Sequence, residues 1–287
     1  MESTSHNKEF EFIQGLTEDL SVPSLIFPTS LSATMNIRHA ILQDNISNDT
    51  LARIVGTEPV LSAQILKASN SAAFNPTGKV NTELRTATMR LGYQNVRNLT
   101  ITVGMKQLTE HKELNKAFTE QMEGLWSRSI RVASFSGVLA KKLTRINADN
   151  AMLTGLLHDV GKFYILNRAS QYQQLFTSQQ ALWNLVDAWH SSIGAAILEN
   201  WAISDEIRNA VQNFGNPRHS HQGAFNLTDA IFAADILDAH FDERSNRKID
   251  WKQLPEVLSK LELTEEKCEQ LYELMKLELT TYLSPIT

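Results

Sequence analysis

At 287 residues, with 42% hydrophobic and 21% charged residues, the chain is long enough to bury a sizeable core in one or two domains. Its formal charge of -5 argues against a general nucleic-acid binder, which needs a basic footprint. No apolar run approaches the length of a membrane span and no charged-then-apolar leader opens the sequence, so the expected setting is cytoplasmic. The single cysteine, Cys268, leaves no internal disulfide to form, and Glu265, Glu266 and Glu269 beside it disfavour a nucleophilic thiolate.

Nearly every periodic segment has helical spacing, and no alternating strand run or hairpin dipeptide competes with it. Residues 1–21 form an N-terminal extension, polar and then amphipathic through Phe10, Phe12, Ile13 and Leu16. Pro23 and Pro28 mark a rigid entry, since proline fixes φ and donates no amide hydrogen. Leu31, Met35, Ile37 and Ile41 predict a helix from Thr29 to about Gln43. The next helix starts near Ser47 and stops at Gly56, and Pro59 occupies the first position of the one after. That pair resembles a helix-turn-helix, but its second helix offers base readers only in Gln64 and Ser62, with Lys67 as the one cation. Packing accounts for it better.

Asn70 to Pro76 is rich in turn formers. A helix from Thr82 is expected to stop at Gly92, and Asn95 to cap the next, whose apolar face is diluted by small polar residues. The charged stretch 109–121 is read as a joint between a helical lobe over 22–108 and a second over 122–241. In the second lobe, helices are expected through Leu125–Leu139, Asn147–Phe163, Leu182–Trp201, Ser204–Phe214 and Leu227–Phe241, the last capped by Asn226. His219 and His221 fall in a loop as a solvated pair with no third ligand. Residues 242–287 supply C-terminal helices packing on the second lobe, with Glu262, Glu265, Glu266, Glu269, Glu273 and Glu278 as a solvated face.

The stretch with chemistry in it is Gly155-Leu156-Leu157-His158-Asp159-Val160-Gly161-Lys162. A His and an Asp inside an apolar run need partners, because a buried ionised carboxylate is costly without a cation or hydrogen bonds. One solution is a divalent ion between this helix and its neighbours. The other is a His that closes a packing seam and an Asp paired to a nearby Arg or Lys, and for an isolated His-Asp pair that reading comes first.

Taken together, the blocks over residues 22–240 resemble the HDOD domain, a bacterial relative of the HD-domain metal-dependent phosphohydrolases. The resemblance rests on Glu58-Pro59-Val60-Leu61, Lys67-Ala68-Ser69-Asn70-Ser71 and Ala87 through Gly92 in the first lobe. In the second it rests on Leu125-Trp126, the stretch around His158-Asp159, His190 through Leu198, Trp201, Ile207 and Ala233-Ala234-Asp235. It implies an all-α, two-lobed helical bundle with an HD-like C-terminal lobe. HD hydrolases hold a divalent metal (Mn, Mg, Ni or Fe) with an early His, the His-Asp pair and a later Asp. Here the pair is His158 and Asp159, the later Asp aligns with Asp235, and the early His position holds Arg128. The branch that cleaves cyclic dinucleotides adds a His like His190 and then a His-His pair, which falls on Asn213 and Phe214.

That substitution removes a ligand and installs a permanent cation. Facing inward, Arg128 would bond Asp159 or Asp235 and neutralise the carboxylates a metal needs. Facing outward, it would leave a weak three-ligand site. The expectation is therefore a non-catalytic signalling module with no cofactor, acting through a protein partner or a small ligand between its lobes, with no nucleic acid or membrane involved. The alternative is a metal-dependent phosphohydrolase for a nucleotide or phosphomonoester, with His158, Asp159 and Asp235 on the metal and His190 or Lys162 touching phosphate.

Overall fold

The computed structural model describes residues 11–16, 18, 46–109, 116–171, 178–201, 203–214, 216 and 223–279. The helix expected over 29–43, the proline-marked entry, residues 110–115 of the joint, and His219 and His221 lie outside the described residues. Within them the secondary structure is helical, with no strand. The chain divides into two compact units, one drawn from Met1–Ile26 and His111–Glu273, the other from Phe27–Glu110 and Leu274–Thr287.

In the second of these units, α1 (Asn48–Val55) and α2 (Pro59–Ser69) pack on α3 (Leu84–Thr109). Each boundary has a local cause. The Ser47 hydroxyl accepts from the Thr50 amide, and the Glu58 carboxylate accepts from the Leu61 amide ahead of Pro59. Leu51, Val55, Leu61 and Ile65 are buried, so the α1–α2 corner is closed by core packing. The Ser62 hydroxyl donates to the Val55 carbonyl 3.0 Å away, which holds the corner shut and removes a residue that could have read a base edge. Asn70 clips the end of α2 to the following loop: its amide donates to Asn81 O and its carbonyl accepts from Asn81 N, both at 2.7 Å. Gly92 breaks α3 into two helical runs at φ +75°, a left-handed value that suits glycine.

The other unit is built on α4 (Lys116–Leu143), α5 (Ala148–Leu157), α6 (Val160–Gln171), α7 (Gln179–Asn200), α8 (Asp205–Phe214) and α9 (Leu227–Phe241). α4 packs along α5 and α9, α7 packs on α6 and α8, and α8 and α9 close the ring. Its core includes Phe135, Leu139, Leu157, Phe163, Ile165, Val186, Ile197 and Ile231. Asn226 and Asp229 make a reciprocal capping box that starts α9. The short α10 (Glu256–Ser259) and α11 (Glu265–Glu278) follow. Tyr272 on α11 stacks on Phe241 with ring centroids 4.0 Å apart and planes 2° from parallel.

One helix is two. The sequence predicts a continuous run from Asn147 to Phe163, but α5 ends at Leu157 and α6 begins at Val160, with His158 and Asp159 at the corner between them. The side chains explain the break. His158 Nδ1 lies 2.6 Å from the Gly155 carbonyl, the acceptor that the Asp159 amide would use in a continued helix. The Asp159 carbonyl then opens α6 by accepting from the amides of Lys162 (2.8 Å) and Phe163 (3.2 Å).

Candidate functional site

Two glycines bring the site together. A Cβ at Gly155 would stand 2.7 Å from Ala133 Cα and 2.8 Å from Ser136 Oγ, so α5 can lie this close to α4 only without one. A Cβ at Gly161 would collide with the His190 carbonyl oxygen and stand 2.8 Å from the Gly194 nitrogen. These close approaches hold the His158–Asp159 corner against α4 on one side and α7 on the other, while α9 presents Asp235.

Arg128 on α4 points into that corner. Its Nη1 bonds Asp159 Oδ2 and lies 2.6 Å from His158 Nε2, and its Nη2 donates to Asp235 Oδ1 at 2.6 Å. With His158 Nδ1 donating to Gly155, the ring hydrogen sits on Nδ1 and the Nε2 lone pair accepts from the guanidinium. Three side chains thus converge on one guanidinium through the atoms that would otherwise face a shared ion. The second oxygen of each carboxylate has its own cation: Lys162 Nζ is 3.1 Å from Asp159 Oδ1, and Arg247 Nη2 donates to Asp235 Oδ2 at 2.7 Å. One helical turn along, Arg131 repeats the pattern with Asp238, its Nε at 2.5 Å and Nη2 at 3.1 Å from the two oxygens.

Charge follows geometry. Burial alone would raise the Asp159 carboxyl, but the Arg128 and Lys162 cations outweigh it and hold the group well below the usual carboxylate range. Asp235 is likewise held down against burial by Arg128 and Arg247. The Arg128 guanidinium is raised, the two carboxylates overcoming its burial. His190 stands beside Lys162 and Asp159, its Nδ1 facing the Val186 carbonyl at 3.0 Å; burial, then the Lys162 charge, lowers its pKa. The ring of Phe214 meets His158 edge-on at 5.1 Å and Phe232 at 4.9 Å.

A divalent ion does not fit these residues as placed. Such an ion would need lone pairs from His158, Asp159 and Asp235, and those atoms are bonded to a guanidinium whose charge cannot be removed. Among the described residues, no group of three or more His, Cys, Asp or Glu side chains is arranged to hold a metal ion.

Arg128, His158, Asp159, Lys162 and Asp235 are therefore in direct contact, and His190 lies next to them. Reading the sequence alone misses Arg131–Asp238 and Arg247. The first had a signal: Arg128 and Arg131, like Asp235 and Asp238, stand three residues apart on their helices, the spacing of side chains that share a face. Arg247 reaches back from an irregular segment, where no periodicity points to its partner.

Comparison with known proteins agrees with this architecture. The HDOD domain pattern matches residues 27–217. Among solved structures, the fold is similar to that of a candidate metal-dependent phosphohydrolase from Shewanella amazonensis, with 23% identity, TM-score 0.73, and coverage of 98% of this chain and 99% of the other. It is also similar to an HDOD domain protein of unknown function from Geobacter sulfurreducens (18% identity, TM-score 0.58, 99% and 96% covered). A candidate signal transduction protein from Marinobacter aquaeolei is similar as well (19%, 0.62, 98% and 65%). An uncharacterized protein of Treponema pallidum is 22% identical over 75% of this chain and 42% of its own length. A ribonuclease Y from Fervidobacterium nodosum is 32% identical over 47% of this chain and 22% of that enzyme. The chain thus spans less than half the length of these curated relatives. No helix among the described residues is long and apolar enough to cross a membrane.

Proposed function

The chain belongs to the HDOD domain family, and from that premise we propose that it is a regulatory module of bacterial signal transduction that acts by binding rather than by hydrolysis. The observation that carries this reading is the placement of Arg128. Its guanidinium bonds His158, Asp159 and Asp235 at once, so the groups that would bind a metal are engaged by a fixed cation. Without a bound ion no water is activated by a Lewis acid at this site. Two fold relatives carry descriptions that point in opposite directions, one to signal transduction and one to metal-dependent phosphohydrolysis. The side chains of this protein favour the former, and its partner is then another signalling protein or a small ligand held by the His158–Asp159 corner.

The test is elemental analysis of the purified protein, together with phosphomonoester hydrolysis under added Mn²⁺, Mg²⁺ or Ni²⁺. The expected result is substoichiometric metal and no metal-dependent turnover. Stoichiometric metal with turnover abolished by His158→Ala would overturn the proposal in favour of a phosphohydrolase.

A further inference from the structure

α9 ends at Phe241, and residues 242–252 then run without helix or strand toward α10. This segment carries Arg247 back to Asp235, and three consecutive residues tie it to the end of α9. Arg247 Nη2 donates to Asp235 Oδ2 at 2.7 Å. Lys248 Nζ donates to the carbonyls of His240 (2.7 Å) and Asp242 (2.9 Å), acceptors at the helix end. The amide of Ile249, whose side chain is buried, donates to Nδ1 of the His240 ring 3.1 Å away.

The last bond fixes the state of the ring. A backbone N–H can only donate, so Nδ1 must offer its lone pair, and the imidazole is neutral with its hydrogen on Nε2. A histidine in the last turn of a helix is ordinarily drawn toward its charged form by the carbonyl end of the dipole. Here the Lys248 ammonium already occupies those carbonyls. The rings of Phe241 and Trp251 meet His240 edge-on, with centroids 4.9 and 5.8 Å away, and replace part of the water that would solvate a charge. Burial and then the Lys248 charge lower the His240 pKa, against the pull of Glu269 and Glu265 on α11.

We propose that His240 is a pH-sensitive latch on the 242–252 segment: the neutral ring holds the Ile249 amide and keeps Arg247 on Asp235, and protonation at Nδ1 lets both go. A proton on Nδ1 sets one N–H against another and places a second positive charge beside Lys248. The ring then keeps its charge only by turning from the amide, with Glu265 and Glu269 as countercharges. The released segment binds the proton more readily than the latched one. The latch is therefore closed above the ordinary histidine value of about 6.5 and weakens as pH falls toward the value of the latched ring. It works the same way whatever the His158–Asp159 corner binds.

The experiment is nuclear magnetic resonance on the full chain from about pH 8 to about pH 4.5, following the His240 ring nitrogens, Ile249 amide exchange and the Asp235 carboxyl carbon. At the upper pH the hydrogen is expected on Nε2. Corrected for the intrinsic rate, Ile249 protection should fall about tenfold per pH unit below about 6.5 until the latched ring titrates. The Asp235 carbon should shift over the same range as Arg247 leaves. His240→Asn, which keeps an acceptor near the place of Nδ1 and does not titrate, should hold Ile249 protected throughout. His240→Phe, which keeps a ring without the acceptor, should lose that protection at every pH. A hydrogen on Nδ1 at pH 8, Ile249 protection that stays flat in the parent, or an equal fall in His240→Asn overturns the latch. An Asp235 carbon that does not shift while Ile249 loses protection overturns its link to Arg247.

Discussion

Replacing Arg128 by His tests the idea that a guanidinium stands where an ion would. In the parent, Arg128 bonds Asp159 and Asp235, both buried, and His158. Breaking a buried ion pair by removing one partner costs about 3–5 kcal/mol. Lys162 and Arg247 remain on the second oxygens of the two carboxylates, which places the loss at the lower end, about 3 kcal/mol. The same change opens the lone pairs of His158, Asp159 and Asp235 and adds an imidazole. The variant should therefore recover stability when Mn²⁺ or Ni²⁺ is added, by about 2.7 kcal/mol at a metal concentration one hundred times the dissociation constant. The assay is urea unfolding of parent and Arg128→His, each with chelator and with metal. The parent should not respond. If Arg128→His is as stable as the parent in chelator and takes up no more metal, the guanidinium is not holding these groups and the site argument fails.

Gly161→Ala should destabilise the protein by about 3 kcal/mol or more, because the new Cβ meets backbone of α7, which cannot move without parting the helices; a loss under about 1 kcal/mol in a urea titration would show that the close approach is not needed. Acid should also uncover the cluster. Asp159 and Asp235 are held below their ordinary range in the folded chain, so the unfolded chain binds more protons, and the stability they confer is complete above the usual carboxylate pKa of about 4 and declines as pH falls through the folded values. Unfolding curves taken between pH 7 and pH 3 should show that decline, and it should be smaller in Asp235→Asn; a variant that follows the parent's pH profile would remove Asp235 from the account.

Much of the framework was legible in the sequence because its causes are local. Ser47, Gly56, Pro59, Asn147 and Asn226 mark helix ends in the sequence and do so in the structure, since a cap acts within a few residues of itself. The break at Gly92 follows from the freedom of one glycine. The split of the Asn147–Phe163 run was not legible in periodicity, because both halves keep their apolar spacing. It depends on a His158 side chain competing for a carbonyl and on a glycine meeting another helix.

The chain by itself determined an all-helical protein with a His-Asp pair in an apolar run and an arginine at position 128, where the resemblance to the HD hydrolases implies a histidine, because residue type and spacing are properties of the sequence. Whether that arginine turned inward was decided only by the tertiary structure. Arg128, Asp159 and Asp235 lie far apart along the chain, and their meeting requires α4, the α5–α6 corner and α9 to pack within hydrogen-bond reach. Arg131 with Asp238 and Arg247 with Asp235 belong to the same level: each is an ordinary surface-type charge until packing supplies its partner.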